Sequence, residues 1–153
     1  MCKTLCMKIP VGLLLVVLAM LMLSGCVGAT PDGQPGPQDI FEKSRNSDRA
    51  PSAFHDDVQR ESCGEITLAQ GEQIPAEAID CMDAATGERK AELAVLSPTT
   101  EGDPIITYYR TSADTSGIEM FSNGEYDKFG SRDWWHAMCP KSMTRLVREG
   151  CPK

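Results

Sequence analysis

An uncharged apolar run near the amino terminus constrains the fold of this chain most. It covers 13 residues, from Val11 to Leu23, and Lys3 and Lys8 precede it. A helix needs about 20 apolar residues to cross a membrane, so the run is too short for a permanent span. A basic start, a short apolar stretch and small residues after it are typical of a signal peptide. Residues 1–25 are therefore predicted to be removed on export.

The run ends in the motif Leu23-Ser24-Gly25-Cys26. This motif resembles the lipobox of bacterial lipoproteins at every position. The resemblance implies that Leu23, Ser24 and Gly25 are recognised by the signal peptidase, and that Cys26 takes a diacylglyceryl group and becomes the new amino terminus. We therefore expect the protein on the extracytoplasmic face of the cell membrane, held there by lipid on Cys26. The alternative is an ordinary signal peptide with a cysteine near its cleavage site.

The mature chain is predicted to be acidic. Loss of residues 1–25, with their two lysines, leaves 128 residues and changes the formal net charge from −7 to −9. Anionic lipid and the phosphates of nucleic acids repel such a chain, so we expect no nucleic-acid partner. Its expected contact with the membrane is the lipid alone.

Cysteine is unusually frequent in so short a chain. Cys2 and Cys6 leave with the signal peptide and Cys26 is lipidated, so four of the seven cysteines remain available. An oxidising compartment favours disulfides, which typically stabilise a small domain by about 2–4 kcal/mol each. Four cysteines permit three connectivities. We favour Cys63 with Cys81 and Cys139 with Cys151, because each pair is close in sequence and can form within one structural unit.

Metal binding is the competing interpretation of these residues. The segment 136–139 contains a histidine and a cysteine, but it lacks the Cys-x-x-Cys spacing of zinc sites. Asn123, Glu125 and Asp127 alternate like the oxygen ligands of a calcium loop, yet Lys128 stands where an EF-hand requires glycine. The sequence therefore predicts neither a metal nor a cofactor.

A flexible tether is predicted between the lipid and the folded domain, over residues 26–60. Residues 27–37 contain three prolines and three glycines, which prevent a helix. The following stretch, 38–62, is mostly polar and too poor in apolar residues to form a core. Its large apolar residues are Ile40, Phe41, Phe54 and Val58. The folded domain is therefore expected to comprise residues 61–153.

This domain is predicted to be small and α+β, with one helix packed on an antiparallel sheet of three to four strands. Alternating apolar residues and turn signals predict strands at 65–68, 93–96, 105–110 and 118–121. A helix is predicted at 76–85, after Pro75 and before Gly87. A short amphipathic segment at 143–148 belongs to a carboxyl end that the second disulfide staples.

Several of these segments resemble a group of small lipoproteins from Gram-positive bacteria whose function is unknown. The resemblance covers about residues 63–139, from Cys63-Gly64 through the helix with Cys81 to the stretch after Asp127. Its most recognisable feature is a Thr-Glu-Gly-Asp-Pro-Ile hairpin, present here at residues 100–105. The resemblance implies a fold and a location, but no activity and no functional residues.

Two groups of polar residues are candidates for catalysis. Glu101 and Asp103 share one turn and could act as acid and base, but Gly102 and Pro104 make ordinary turn chemistry the favoured interpretation. The two histidines, at positions 55 and 136, share no evident site, and no Gly-x-Ser-x-Gly motif occurs. No catalytic residue is therefore predicted.

Aromatic residues offer a recognition surface or a core. Trp134, Trp135, Tyr108, Tyr109 and Phe121 are of the types enriched at binding hot spots. Core packing is the favoured interpretation for most of them, although neighbouring tryptophans in a strand point to opposite faces. One of the two tryptophans is therefore expected to be partly exposed.

These observations predict a lipid-anchored binding or interaction module at the cell envelope. The expected partner is an envelope protein, a wall component or a small ligand. The alternative is an envelope enzyme that acts on wall or extracellular substrates.

Overall fold

The computed structural model describes residues 37–56 and 59–151. The predicted signal peptide, the peptidase motif at Leu23, Ser24 and Gly25, and Cys26 lie outside these residues. The described part contains three α-helices, five strands and a short 3₁₀ helix. In chain order these are α1 (Pro37–Arg45), the 3₁₀ helix (Ser52–His55), β1 (Glu61–Thr67), α2 (Ala76–Ala85), β2 (Ala91–Pro98), β3 (Pro104–Ser112), β4 (Thr115–Asn123), β5 (Trp134–Cys139) and α3 (Met143–Glu149).

The five strands form one sheet in the order β1-β2-β3-β4-β5. Neighbours from β2 to β5 are antiparallel, whereas β1 and β2 are parallel. The α+β class is confirmed, but the prediction of an antiparallel sheet with three to four strands is wrong. Parallel neighbours need a crossover connection, and α2 supplies it between β1 and β2.

Strand β5 is the one that the sequence pattern did not predict. It pairs with β4 in a continuous antiparallel register, with Ile118 opposite Cys139 and Asn123 opposite Trp134. The strands approach closely at Gly117, where an added Cβ would lie 2.5 Å from the carbonyl oxygen of Cys139. The pairing therefore depends on the absence of a side chain at this position.

The helix α2 has the predicted bounds, and it buries Ala78, Met82 and Ala85. A second helix, α3, occupies the predicted amphipathic segment and buries Met143 and Leu146. The prediction of a single packed helix is wrong, because α1 also belongs to the described fold.

The amino-terminal segment corrects the predicted domain boundary. Phe41 of α1 is only 2% exposed and Phe54 of the 3₁₀ helix only 4%. Both pack with Ala94, Leu96 and Tyr108 of the sheet. The prediction of a flexible tether over residues 26–60 is therefore wrong for residues 37–56. Two aromatic residues are too few to form a core alone, but here they pack into a core whose other side chains come from the strands.

The two faces of the sheet support separate apolar clusters. On the first, here called the closed face, α1 and the 3₁₀ helix cover side chains such as Tyr108 and Phe121. On the second, here called the groove face, α2 and α3 cover Leu93, Val95 and Ile118. Alternation along each strand explains this division, since successive side chains point to opposite faces.

Both predicted disulfides are present, and both act on the groove face. Cys63 of β1 is bonded to Cys81 of α2, with their Cα atoms 5.7 Å apart. Cys139 of β5 is bonded to Cys151 beyond α3, with a Cα separation of 5.4 Å. Each helix on this face is therefore covalently tied to an edge strand of the sheet.

Candidate functional site

A groove of about 700 Å³ lies between α2, α3 and the groove face of the sheet. Its volume falls within the range of about 300–1,000 Å³ that is common for small-molecule sites. Its lining is mainly apolar side chains from the sheet, both helices and the loop before α2. These include Leu68, Ile74, Ile79, Met120, Leu146 and Val147.

The floor of the groove consists of Tyr109 and Met120, which are opposite each other on β3 and β4. Burial raises the pKa of the Tyr109 phenol above its ordinary value. Tyr109 is the one phenol in this lining, and it adds a polar group to a site that has both polar and apolar lining residues. Such a combination can orient an amphipathic molecule.

The walls are positioned by a cap on α3 and by a contact between the two helices. Ser142 caps α3, because its hydroxyl accepts a hydrogen bond from the backbone N–H of Arg145 at 3.4 Å. The carboxylate of Asp83, on α2, accepts another from the backbone N–H of Thr144, at 3.2 Å from Oδ2. Together with the two disulfides, these bonds hold the groove open between rigid elements.

The rim of the groove is polar. Glu72, Gln73 and Arg148 contribute side chains of both charge signs and one amide. The Glu72 carboxylate also accepts a hydrogen bond of 2.7 Å from the backbone N–H of Ala69, which fixes the loop before α2. An apolar interior with a polar rim fits a molecule that has an apolar body and a polar end.

A second cavity, of about 330 Å³, is lined mainly by charged residues. Its three arginines and three carboxylates are Arg45, Arg60, Arg110, Asp56, Glu65 and Glu92, here called the charged cluster. Glu92 accepts hydrogen bonds from Arg110 Nε at 2.8 Å and from Arg45 Nη2 at 3.1 Å. Arg45 also pairs with Glu65. Because the charges are matched within the cluster, it offers no net charge to a ligand.

The charged cluster joins the amino-terminal segment to the sheet. Arg110 of β3 is 6% exposed, donates a 2.8 Å hydrogen bond to the carbonyl oxygen of Phe54, and lies 4.2 Å from the centre of that ring. Arg60 donates hydrogen bonds to both oxygens of Asp56, at 2.7 and 2.6 Å, which lowers the pKa of that carboxyl. The charged cluster therefore holds the amino-terminal segment against the sheet.

The two carboxylates of the β2–β3 turn do not act together. Asp103 is 5% exposed and accepts hydrogen bonds of 2.9 Å from the Lys128 ammonium and from its backbone N–H, while Glu101 is exposed. These bonds lower the pKa of Asp103. Asp103 therefore makes a tertiary contact with Lys128, and the two carboxylates do not form a shared site.

The alternating polar residues after β4 are engaged in the fold. Asn123 donates to the Ser44 hydroxyl at 2.8 Å and accepts from the backbone N–H of Glu125 at 2.8 Å. Glu125 accepts from the Trp134 indole, and Asp127 accepts from backbone N–H groups of its own turn. Among the described residues, no group of three or more histidine, cysteine or carboxylate side chains could hold a metal ion.

The two histidines have different partners. His55 Nε2 lies 3.1 Å from the carbonyl oxygen of Ser47, and His136 Nε2 lies 3.0 Å from Glu119 Oε1. His136 also stacks on Phe121, with ring centres 4.4 Å apart. Within the described part, neither imidazole bonds a hydroxyl or thiol that could serve as a nucleophile.

The aromatic residues are divided between the two faces. Tyr108, Phe121 and Trp134 pack in the closed-face cluster, Tyr109 lies in the groove, and Trp135 is exposed. The expectation that one tryptophan is partly exposed is confirmed. The groove itself was not predicted, since its walls come from loops and helix faces that are separate in sequence.

No protein-family model matches the chain, and neither the curated proteins nor the solved structures contain a significant match. The resemblance to small Gram-positive lipoproteins therefore stays a prediction. None of the described helices is long and apolar enough to cross a membrane.

Proposed function

We propose that this protein is an exported lipoprotein, anchored through lipid on Cys26, that binds a small amphipathic ligand at the cell envelope. The signal-peptide pattern and the lipobox resemblance support the anchoring. Two disulfides in so short a chain agree with an oxidising compartment outside the membrane.

The groove is the observation that carries the binding proposal. It has a volume of about 700 Å³, most of its lining residues carry apolar side chains, disulfides tie its walls to the sheet, and Tyr109 lines its floor. The charged cluster is a weaker candidate, because its arginines and carboxylates are already paired with each other. A ligand with an apolar body would remove Met120, Ile79 and Val147 from water, which is the favourable term in such binding.

The proposed anchor on Cys26 would keep the groove near the membrane. Helix α1 begins at Pro37, only 11 residues after Cys26. Even a fully extended chain of that length spans at most about 40 Å. With lipid on Cys26, the start of the domain would lie within about 40 Å of the membrane. The membrane or its surface would therefore be the nearest source of the proposed ligand.

Binding can be tested with the neutral fluorescent probe N-phenyl-1-naphthylamine, which the net negative charge of the protein does not repel. The protein is used as the soluble chain from residue 26 with Cys26→Ser. We expect saturable fluorescence enhancement that Val147→Arg reduces roughly tenfold or more, since a charge would then project over the apolar groove. Phe129→Arg is the matched control, because Phe129 is exposed and outside the groove lining. Equal effects of the two substitutions, or no saturable signal, would contradict the proposed site.

Anchoring is tested separately by the intact mass of the full chain after expression and detergent extraction. The proposal predicts a product that begins at Cys26 and carries added lipid, and a Cys26→Ser variant that leaves the membrane fraction. A product that begins elsewhere, or one that begins at Cys26 without lipid, would refute the anchor without touching the groove.

A further inference from the structure

The two edges of the sheet are unequally protected against pairing with another strand. At β1 the register shifts between Ser62 and Gly64, and the strand carries Glu61 and Glu65. Bulges and charges of this kind discourage edge-to-edge association. At β5 the register with β4 is continuous, and the strand Trp134–Cys139 contains no proline, lysine or carboxylate. Of the two edges that the structure describes, β5 is therefore the one with no bulge and no lysine or carboxylate within the strand.

The hydrogen-bonding groups on the open side of β5 can be assigned from the ladder. Gly124 N–H donates to the carbonyl oxygen of Asp133 at 3.0 Å, so this pair is one that exchanges hydrogen bonds across β4 and β5. Such pairs alternate along an antiparallel ladder. Trp134, His136 and Met138 therefore direct their backbone N–H and C=O groups away from β4, and no described residue bonds these groups.

Large apolar side chains flank this open edge. Trp135 is 50% exposed and Met138 is 49% exposed. Alternation places Trp135 on the groove face and Met138 on the closed face. A strand added to β5 would therefore gain backbone hydrogen bonds and apolar contacts on both sides of the sheet.

We propose that β5 is a self-association surface, on which a second copy of this chain adds its own β5 in antiparallel orientation about a two-fold axis at His136. The outward-directed residues lie symmetrically about His136, so this register pairs Trp134 with Met138 of the second copy and His136 with its own equivalent. All outward N–H and C=O groups of the three residues are then satisfied in both copies.

The side chains fit this register. On the groove face, Trp135 is opposite Ala137 of the second copy, so a large side chain meets a small one. On the closed face, Trp134 is opposite Met138 of the second copy, and contacts between sulfur and aromatic rings are favourable. The strand itself contains no carboxylate, and the carboxylate beside the axis, Glu119 of β4, lies 3.0 Å from the His136 imidazole of its own copy. A contact of one short strand from each copy is small, so we expect dissociation at about ten to a hundred micromolar.

Sedimentation velocity between 1 and 500 µM tests this proposal, with the chain from residue 26 as its Cys26→Ser form. We expect a monomer–dimer equilibrium that Met138→Pro weakens roughly tenfold or more, because proline removes an outward N–H and leaves the β4 ladder intact. Met138→Ala is the matched control, since it keeps that N–H, and it is expected to weaken association less than Met138→Pro. A chain that stays monomeric at 500 µM overturns the proposal.

Unchanged association of a folded Met138→Pro variant also overturns it. If circular dichroism shows that this variant does not fold, Trp135→Lys at the exposed edge decides in the same way, and a roughly tenfold weakening is expected. Amide hydrogen exchange tests the proposed register directly. The amides of Trp134, His136 and Met138 are expected to exchange more slowly as the wild-type concentration rises, and concentration-independent exchange at these three positions contradicts the proposed pairing.

Discussion

The closed face and the groove face of the sheet are covered by different means. On the closed face, a segment far upstream in sequence contributes two buried aromatic side chains, and the charged cluster fastens it to the strands. On the groove face, two helices are fastened by disulfides at the edge strands, and the space between them remains open. The first arrangement fills its core with side chains, whereas the second fixes its walls and leaves a cavity.

Under the proposed function, this difference separates the face that stabilises the domain from the face that binds ligand. Burial and ion pairing on the closed face depend on many contacts that would be lost together. The groove face can remain partly empty because covalent bonds hold its walls in place without requiring complete packing. The adjacent residues Tyr108 and Tyr109 mark the boundary, since one is fully buried on the closed face and the other forms the floor of the groove.

The largest expected effect comes from Phe54→Ala. The ring of Phe54 contacts Tyr108, Phe121 and Trp134, with ring centres 4.8, 5.3 and 4.8 Å away. Its removal is expected to lower the free energy of unfolding by about 3–5 kcal/mol, measured by urea denaturation. Phe129→Ala is the control, and a change below about 0.5 kcal/mol is expected because that ring is exposed. Similar small losses for both would show that the amino-terminal segment is not part of the folded core.

Removal of the disulfide at the groove is expected to have the next largest effect. The double substitution Cys139→Ala and Cys151→Ala opens a loop of 12 residues in sequence separation, and it should lower the free energy of unfolding by about 3 kcal/mol. Binding of N-phenyl-1-naphthylamine should weaken as well, because α3 is released from β5. Reduced stability with unchanged probe binding would show that the disulfide does not shape the groove.

A smaller effect is expected from Asp83→Ala, which removes the acceptor on α2 for the first turn of α3. The backbone N–H of Thr144 would lose its partner, so we expect a loss of about 1–2 kcal/mol in urea denaturation. Asp80→Ala is the matched control on the same helix, since Asp80 is exposed. Equal losses in the two variants would contradict a bridging role for Asp83.

Tyr108→Phe is expected to have the smallest effect at neutral pH and a distinct one in alkali. Burial raises the pKa of Tyr108 to about 12, above the value of about 10 for an unfolded chain. The folded state therefore favours the neutral phenol, and the resulting stability is present below pH 10 and lost as the pH rises toward 12. Tyr108→Phe is expected to reduce this alkaline loss in urea denaturation between pH 8 and 11. A wild type whose stability does not change over this range would contradict the burial argument.

Local signals account for the parts of the fold that could be predicted from sequence. The bounds of α2 follow from Pro75 and Gly87, and the disulfide pairs follow from the spacing of the cysteines. The direction of β1 could not be read from its residues, although the helix between β1 and β2 is typical of a parallel pair. Strand β5 lacked an alternating pattern and depends on the close approach at Gly117.

The groove could be predicted only in fragments. Ile79 and Val147 lie on amphipathic helices, but nothing in the sequence shows that their helices stand apart across Tyr109 and Met120. The sequence shows that Phe41 is apolar, but its burial depends on an aromatic cluster whose members come from distant strands. In both places the missing information was tertiary contact, which periodicity along one segment does not contain.

The central claim is that the groove face binds an amphipathic ligand while the closed face is sealed. The most direct measurement is a titration of the isotope-labelled chain with N-phenyl-1-naphthylamine, followed by backbone amide chemical shifts. We expect saturable shifts centred on the groove residues Ile79, Tyr109, Met120 and Val147. Shifts centred instead on Phe41 and Phe54, or the absence of any saturable change, would contradict it.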